Sequence, residues 1–418
     1  LESPVLILVP TSVISSWANE AERCFPQLRT CVLRASHQRN PLAWAEISQS
    51  NIVITSHTLF RMDHLLWDNR TLSGLVIDEA QVLKNPRTML YRSVKELQVP
   101  WRICVSGTPI ENSLEDLWSL MSLSVPGLLS THSHFNEKFR RPIEGTQQDS
   151  ALELLHTLIA PFILRRTKEE VTPELPDRIE TLLPVPLEGR QRQIYDRYLT
   201  RERARLLRIQ LNNEGAQGRF EVLAALTRLR QLSLDPALVD ERYEGVGSAK
   251  IDLLCSHLEQ IVPAGHQVLV FSQFVSFLER IDSALKQRGI SCLLLEGKTR
   301  KREDVIAKFR RGEGSVFLIS LKAGGVGLTL TEADYVYIMD PWWNPSVEAQ
   351  AINRAHRIGQ SRAVNVYRLV AQDTIEEKVC QLQAHKQRLI DTVVDDVGDE
   401  STQRMDIDQL IELLGVGE

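Results

Sequence analysis

Long hydrophobic runs are missing from this sequence of 418 residues. The longest purely apolar runs, such as Val5 to Val9, are far shorter than the ~20 residues that a helix needs to span a bilayer. The chain also opens on Leu1 without a basic-then-apolar signal segment. We therefore expect no membrane-spanning segment and no membrane partner.

Paired cysteine spacing is also missing. The six cysteines are scattered through the chain, at positions 24, 31, 104, 255, 292 and 380. This pattern is typical of reduced thiols in a cytosolic or nuclear protein, and it argues against a zinc module.

An excess of positive charge is absent, since the formal net charge is −5. A negative total excludes a protein that is basic all over, but nucleic-acid binding needs only a local stripe of Lys and Arg. Two such clusters lie at 190–208 and 298–311, whereas acidic residues gather at 391–408. A solvated helix face is the alternative explanation of each basic cluster.

Short apolar runs are present in two separate regions, where they alternate with helix-like stretches. They are Val5–Val9, Ile52–Thr55, Leu75–Ile77 and Arg102–Ser106 in the first region, then Val268–Phe271, Cys292–Leu295, Val316–Ser320, Tyr335–Met339 and Val364–Leu369 in the second. Such strands, separated by helical segments, indicate parallel sheets that are covered on both faces. Two units of this kind predict an α/β protein with two lobes.

Helical stretches separate and extend these lobes. Leu114, Leu117, Trp118 and Met121 recur at helical spacing and predict a buried face. A second stretch, Arg190 to Leu211, predicts one long charged helix. We therefore expect a first lobe at 1–185 with a helical insert at 113–175, a second lobe at 186–390 with an insert at 190–245, and an acidic helical tail at 391–418.

The clearest chemical signal of the first lobe is Asp78-Glu79, directly after the apolar run Leu75–Ile77. Open α/β sheets bind their ligands at the carboxyl ends of their strands. There Asp78 can hold the hydration shell of a magnesium ion, and Glu79 can orient or deprotonate an attacking water. Alternatively, the two residues only cap the next helix.

Further sequence blocks accompany this pair in a defined order. They are Ser106–Asn112, Ser272–Phe274, Ser320–Thr329, Asp340–Pro345 and Gln350–Gln360. From about Val5 to about Lys386, these blocks resemble the motifs of helicase superfamily two, specifically its Swi/Snf branch. The resemblance implies two RecA-like lobes, an ATP-driven translocase on double-stranded DNA, and ATP with Mg²⁺ in the cleft between the lobes.

The resemblance also implies specific site residues. The expected DNA contacts are Pro10, Thr11, Ser12, Thr55, Ser56, Lys84, Asn85, Arg166, Lys168, Ser272, Gln273, Thr299, Arg302, Lys322 and Trp343. The expected nucleotide contacts are Gly325 and Gly327, together with Asp78 and Glu79. Hydroxyls, glycines and loop amides at strand ends can approach phosphates in a way that is blind to base sequence.

Arg354 and Arg357 lie three residues apart, so on a helix they would share a face. Two guanidiniums there could reach the phosphates under transfer, as an arginine finger does. Gln350 would lie on the same side and contact water or phosphate. For Trp342-Trp343 we expect core packing and coupling between DNA and nucleotide motifs, which are compatible roles.

The sequence departs from the family at several points. The phosphate-binding signature G-x-x-x-x-G-K-[ST] does not occur in the 418 residues. Gly297-Lys298-Thr299 imitates its end, but it follows a second-lobe strand. Position 57 holds His where Tyr is usual, and position 81 holds Gln where His is usual. We expect the chain to be a fragment of a longer ATPase and to be inactive alone.

Three functions remain open from the sequence. The first is an ATP-dependent translocase that remodels DNA–protein complexes, with duplex DNA and a DNA-bound protein complex as partners. The second is a non-catalytic DNA-binding module, and the third is an unwinding helicase that acts on RNA or DNA. The expected location is the cytoplasm, at a bacterial nucleoid, or the nucleus if the source is eukaryotic.

Overall fold

The chain divides into two compact units, of which the first ends at Arg165 and the second begins at Arg166. The computed structural model describes residues 3–68, 70–107, 113–144, 149–166, 168–172, 174–211, 215–299, 302–321 and 329–384. The division expected at residue 185 therefore lies about twenty residues too late. The reason is that residues 178–185 form a strand of the second sheet, paired in parallel with Val364–Ala371.

The first unit contains a five-stranded parallel sheet with the order β2-β3-β1-β4-β5. Its strands are β1 (Val5–Val9), β2 (Thr30–Leu33), β3 (Ile52–Ser56), β4 (Gly74–Ile77) and β5 (Arg102–Cys104). Side chains alternate between two buried clusters: Leu6 and Leu8 face one, Ile7 and Val9 the other. The sheet is thus covered on both faces, as its continuous apolar strands predict.

The first six helices of the first unit contribute side chains to the clusters on the sheet, and the last three pack in a separate cluster. They are α1 (Ile14–Cys24), α2 (Pro41–Ala45), α3 (His57–Met62), α4 (His64–Trp67), α5 (Met89–Glu96), α6 (Leu114–Ser124), α7 (His132–Phe135), α8 (Arg141–Glu144) and α9 (Asp149–Ile159). The stripe Leu114, Leu117, Trp118 and Met121 is buried against Phe135, Phe139 and Leu155, so its prediction as core is confirmed.

The second unit contains a six-stranded parallel sheet with the order β6-β11-β10-β7-β9-β8. Its strands are β6 (Arg178–Val185), β7 (Val268–Ser272), β8 (Cys292–Leu295), β9 (Val316–Ser320), β10 (Tyr335–Ile338) and β11 (Val364–Ala371). Two buried clusters again cover its two faces. The predicted fold class, α/β with two parallel sheets flanked by helices, is confirmed.

The helices of the second unit are α10 (Lys168–Val171), α11 (Gly189–Leu211), α12 (Gly215–Leu234), α13 (Ala249–Ile261), α14 (Val275–Gln287), α15 (Arg302–Arg310) and α16 (Pro345–Ile352). Residues 375–384 are also helical. The long charged helix predicted from Arg190 is α11. None of the helices in the described ranges is long and apolar enough to cross a membrane.

Candidate functional site

The carboxylate pair lies where the sequence places it, at the carboxyl end of β4. The Asp78 backbone N–H donates to the Leu8 carbonyl at 2.8 Å, which fixes the pair beside the end of β1. Glu79 adopts a left-handed backbone with φ 48° and ψ 48°. A non-glycine residue rarely takes this conformation, and such strain concentrates at functional positions.

The helix-cap alternative for this pair does not fit the contacts. Glu79 occupies the N-cap position of the 3-10 turn Ala80–Leu83, yet its side chain makes no capping hydrogen bond. The Asp78 Oδ1 atom accepts the Glu79 N–H at 2.9 Å, one residue on, and not an amide of the following turn. The two carboxylates therefore do not owe their place to capping.

Each carboxylate is oriented by a neighbouring donor. The Trp17 indole Nε1 of α1 donates to Asp78 Oδ2 at 2.7 Å. The Gln81 amide donates to Glu79 Oε2 and accepts the Ser106 hydroxyl at 2.7 Å. A hydrogen-bonded chain thus runs from the end of β5 to Glu79, through the Gln that stands where the family usually has His.

His57, another departure from the family, lies beside the same strand ends. Burial lowers the pKa of its imidazole from the ordinary value, and the backbone of Asp78 opposes that shift. Its buried Nε2 atom has no hydrogen-bond partner within the described residues. Burial therefore disfavours the charged form of this imidazole beside the carboxylate pair.

The pair fits a magnesium ion that is held through water. In the described part of the chain, no three His, Cys, Asp or Glu side chains converge on one point. The pair can therefore supply only part of a coordination shell, which suits Mg²⁺ because this ion keeps waters and binds substrate phosphates. A carboxylate oxygen carries two lone pairs, so Asp78 Oδ2 can accept both the indole and a hydration water.

The predicted DNA contacts of the first unit differ in accessibility. Thr11 and Ser12 are exposed at the end of β1, next to half-buried Pro10. By contrast, Thr55 and Ser56 are buried, with exposures of 1% and 2%. The Thr55 hydroxyl donates to the Leu33 carbonyl, and the Ser56 hydroxyl accepts the Leu59 N–H to cap α3. Their side chains serve the fold here, and their DNA contact stays a prediction.

Lys84 and Asn85 follow the 3-10 turn after the carboxylate pair. Lys84 is half-buried and its carbonyl accepts the Ser119 hydroxyl, while the exposed Asn85 accepts the Arg87 N–H at 2.9 Å. Arg166, at the start of the second unit, is exposed. Lys168 is the first residue of α10, and its side chain lies outside the described part.

At the strand ends of the second unit, Asp340 organises the loop after β7. Its Oδ1 atom accepts the Ser272 hydroxyl at 2.5 Å and the Gln273 N–H at 3.3 Å. Ser272 is fully buried, whereas the Gln273 side chain is half-buried. Of the two predicted DNA contacts in this loop, Gln273 is the more accessible.

The loop after β8 closes on itself. Thr299 Oγ1 accepts the Glu296 N–H at 3.0 Å, and the Arg302 guanidinium donates to the Gly297 carbonyl at 3.2 Å. The Gly297-Lys298-Thr299 run thus follows a second-unit strand, as expected. Lys322, Gly325 and Gly327 lie outside the described residues, so their roles stay predictions.

The helix face proposed for the arginine pair is wrong. Helix α16 ends at Ile352, and both Arg354 and Arg357 lie in the turn that follows. Arg354 is buried with 7% exposure, whereas Arg357 is exposed. Gln350 remains on the helix, so it does not continue one face with Arg354.

Long-range hydrogen bonds explain this turn. The His356 Nε2 atom lies 2.8 Å from the Pro176 carbonyl, which is 180 residues away in sequence. The Gln360 side chain donates to the Ala333 carbonyl at 2.8 Å and accepts the N–H of the two residues that follow it. These contacts hold the segment after Ile352 as a turn, although the three-residue spacing of Arg354 and Arg357 is compatible with a helix.

The Trp342-Trp343 turn packs around a residue that the sequence analysis missed. The Arg230 guanidinium carbon lies 5.8 Å from the Trp342 ring centroid and 5.3 Å from that of Trp343. Arg230 is 3% exposed and pairs with Asp340. Its place on the buried face of α12, four residues after Leu226, is the one sequence signal that could have identified it.

Residues 1–238 match the SNF2-related domain, and residues 249–359 match the helicase conserved C-terminal domain. The chain belongs to the SNF2-related family. It is 33% identical over 403 residues to a putative ATP-dependent helicase/translocase, YwqA, of Bacillus subtilis, covering 94% of this chain and 43% of that protein. The Swi/Snf resemblance seen in the sequence is thus confirmed.

Other SNF2-related proteins match over similar lengths. The human SWI/SNF-related matrix-associated actin-dependent regulator of chromatin subfamily A member 1 is 30% identical over 445 residues, with 100% of this chain and 41% of that protein covered. A solved Sulfolobus solfataricus SWI2/SNF2 ATPase core in complex with dsDNA is 32% identical, with a TM-score of 0.45, and covers 95% of this chain and 83% of that one. The chain spans about two-fifths of the length of such curated relatives.

Proposed function

We propose that this SNF2-related chain is the greater part of an ATP-driven motor that translocates on double-stranded DNA and remodels DNA–protein complexes without separating the strands. The observation that carries the proposal is the Asp78-Glu79 pair at the end of β4. Hydrogen-bond donors orient both carboxylates. Glu79 has a strained, left-handed backbone, and its side chain makes no helix-capping hydrogen bond. The name helicase/translocase of the Bacillus subtilis relative supports the same activity.

In this proposal, Asp78 holds the hydration shell of Mg²⁺, and the ion supplies charge stabilisation to the phosphates of ATP when bound. Glu79 orients the attacking water and accepts its proton. Gln81 holds the Glu79 carboxylate in place and links it to Ser106 at the end of β5. In the second unit, we propose Gln350, Arg354 and Arg357 as the residues that contact nucleotide.

Duplex DNA is the proposed track. The exposed residues Thr11, Ser12 and Asn85 of the first unit, and the half-buried Gln273 and Arg302 of the second, offer contacts to phosphate oxygens. Such contacts carry no sequence information, which a motor that walks along any sequence requires. The proposed location is wherever that DNA lies, a bacterial nucleoid or a nucleus.

The test is ATP hydrolysis by the full-length gene product with and without duplex DNA. The substitution Glu79→Gln keeps the shape of the side chain but removes the proton acceptor. We expect the DNA-stimulated rate of ATP hydrolysis to fall about 100-fold or more. Glu96→Gln, an exposed carboxylate on α5 of the same unit, is the matched control and should leave the rate unchanged. A Glu79→Gln protein that hydrolyses ATP at the wild-type rate would falsify the assignment.

A non-catalytic DNA-binding module is the second candidate for these 418 residues taken alone. The specific observation in its favour is that the phosphate-binding signature does not occur among them. We propose that the 418 residues bind duplex DNA but do not hydrolyse ATP. Equal ATPase rates for the 418-residue chain and the full-length gene product would contradict that proposal.

The same full-length protein separates a translocase from an unwinding helicase. We expect it to displace the third strand of a DNA triplex while it leaves a forked duplex paired. Release of a labelled strand from the fork, or stimulation by RNA equal to that by duplex DNA, would favour the helicase instead.

A further inference from the structure

Arg230 lies at the centre of a cage that the proposed mechanism does not use. It is on α12, and three aromatic rings surround its guanidinium carbon: Phe274 at 5.8 Å, Trp342 at 5.8 Å and Trp343 at 5.3 Å. The side chain is 3% exposed. A desolvated guanidinium over aromatic faces is strongly held, and its planar fork fits several acceptors at once.

The same guanidinium binds the residue that organises the loop after β7. Its Nη2 atom donates to Asp340 Oδ2 at 3.4 Å and to the Pro341 carbonyl. The other oxygen of Asp340 accepts the Ser272 hydroxyl and the Gln273 N–H. One carboxylate therefore joins Arg230 to the loop that carries the predicted DNA contact Gln273.

Hydrogen bonds also connect the Trp342-Trp343 turn to α16, the helix that carries Gln350. The Trp342 N–H donates to Glu348 Oε1 on α16 at 2.6 Å, and Gln383 donates both to the Trp342 carbonyl and to the same Glu348 oxygen at 2.5 Å. Glu348 is 1% exposed. Continuous contacts therefore run from the Gln273 loop through the Arg230 cage to α16.

We propose that Arg230 is a positioning residue that makes the loop after β7 and the Trp342-Trp343 turn move as one body. This inference rests on the proposed function, because it assigns to Arg230 the coupling between duplex binding and ATP hydrolysis. Contact of DNA with the Gln273 loop then sets the position of α16, and with it Gln350. Arg230 itself touches neither DNA nor nucleotide in this scheme.

A simpler role for Arg230 is that of counter-ion to the buried Asp340. A lysine could neutralise that carboxylate equally well, but a single ammonium cannot face three rings and also reach the Pro341 carbonyl. The two roles therefore predict different behaviour for Arg230→Lys, which decides between them.

The experiment measures ATP hydrolysis by the full-length gene product over a titration with duplex DNA. For Arg230→Met we expect the ratio of the DNA-stimulated to the unstimulated rate to fall about tenfold, within the range of allosteric coupling. The matched control is Arg228→Met on the same helix. The Arg228 guanidinium donates to Glu202 on α11 at 2.9 and 3.0 Å, and the Glu202 side chain is 4% exposed. Loss of Arg228 therefore also leaves a buried carboxylate without its cation, but away from the Trp342-Trp343 turn.

The control should keep the stimulation ratio within about twofold of the wild type. A spectroscopic readout accompanies the rates: Arg230→Met should change the tryptophan emission spectrum, and the change should vanish when Trp342 and Trp343 are both replaced by Phe. A counter-ion role alone predicts no loss of stimulation in Arg230→Lys, whereas a positioning role predicts a partial loss.

The outcomes are distinguishable. No stimulation of the wild-type protein by duplex DNA removes the proposed function, and the inference with it. Stimulation of the wild type, together with an unchanged ratio in folded Arg230→Met, overturns the inference alone. If Arg230→Met does not fold, Arg230→Lys decides: full stimulation overturns the positioning role, and a reduced ratio supports it.

Discussion

The sharpest stability prediction concerns a buried ion pair in the second unit. Lys250 Nζ lies 2.6 Å from Glu376 Oε2 and also donates to the Met339 and Leu369 carbonyls, at 2.6 and 2.9 Å. Both charged side chains are 0% exposed. The pair thereby joins α13 and the helix at 375–384 to the ends of β10 and β11. The perturbation is Lys250→Met, which fills similar space but removes the cation.

The structure sets the magnitude. Removal of one partner leaves the Glu376 carboxylate buried without its cation, which costs about 3–5 kcal/mol. In Lys250→Met with Glu376→Gln no charge remains, and the Gln oxygen can still accept the Ala371 N–H that Glu376 accepts at 2.8 Å. We expect the double variant to recover about half of the loss, since the two carbonyls stay unpaired.

The pH dependence follows from the Glu376 carboxyl. Burial raises its pKa above the ordinary value, and Lys250 is the main opposing influence. In Lys250→Met the folded pKa therefore rises further above the unfolded one. The unfolded state binds fewer protons between those two values, so stability falls as the pH rises through that range. The variant should be least destabilised below the ordinary carboxyl pKa of 4.5, and its destabilisation should grow as the pH rises above that value.

The assay is native-state hydrogen exchange of the β10 and β11 amides, because a chain of two units has no single unfolding free energy. Lys250→Met should lower the opening free energy of these amides but not that of β1 or β3 in the first unit. Unchanged protection, or a double variant as unstable as the single one, would refute the reasoning.

Three further predictions concern the first unit. Trp17→Phe keeps the ring but loses the donor to Asp78, so the Mg²⁺ concentration for half-maximal ATPase of the full-length protein should rise about tenfold; an unchanged Mg²⁺ titration would contradict this. Since burial lowers the pKa of His57 below its ordinary 6.5, the opening free energy of the α3 amides, taken from hydrogen exchange corrected for the intrinsic rate, should fall as the pH drops below 6.5, and His57→Gln should abolish the effect. In Gly74→Ala the new Cβ would lie 2.2 Å from the Trp101 ring, so β4 should lose about 1–3 kcal/mol and a wild-type opening free energy would be evidence against this packing.

Much of the fold could be predicted from local pattern. All the apolar runs assigned as strands are strands, because a parallel sheet buried on both faces demands continuous apolar sequence. The two strands that the pattern missed, β2 and β6, each lie at a sheet edge. In β6 most side chains are exposed or half-buried, so its sequence carries polar residues and a proline that obscure the strand.

The candidate site, like the fold, could be predicted from sequence only in part. The carboxylate pair could be placed from sequence, because strand ends of a parallel sheet share one edge. The contacts that orient it could not, since Trp17 lies 61 residues from Asp78 and Ser106 lies 25 from Gln81. Residue spacing suggested the contact partners only within one helix or strand.

By itself, the sequence determined the family, the two parallel sheets and the position of Asp78 and Glu79 at a strand end. These properties follow from short-range patterns: apolar runs, turn residues and motif spacing. Only the tertiary structure decided that Arg354 is buried while Arg357 is exposed, and that Arg230 lies among three rings. Those outcomes depend on partners 110 and 180 residues away, as for Arg230 with Asp340 and His356 with Pro176, and no local pattern encodes such contacts.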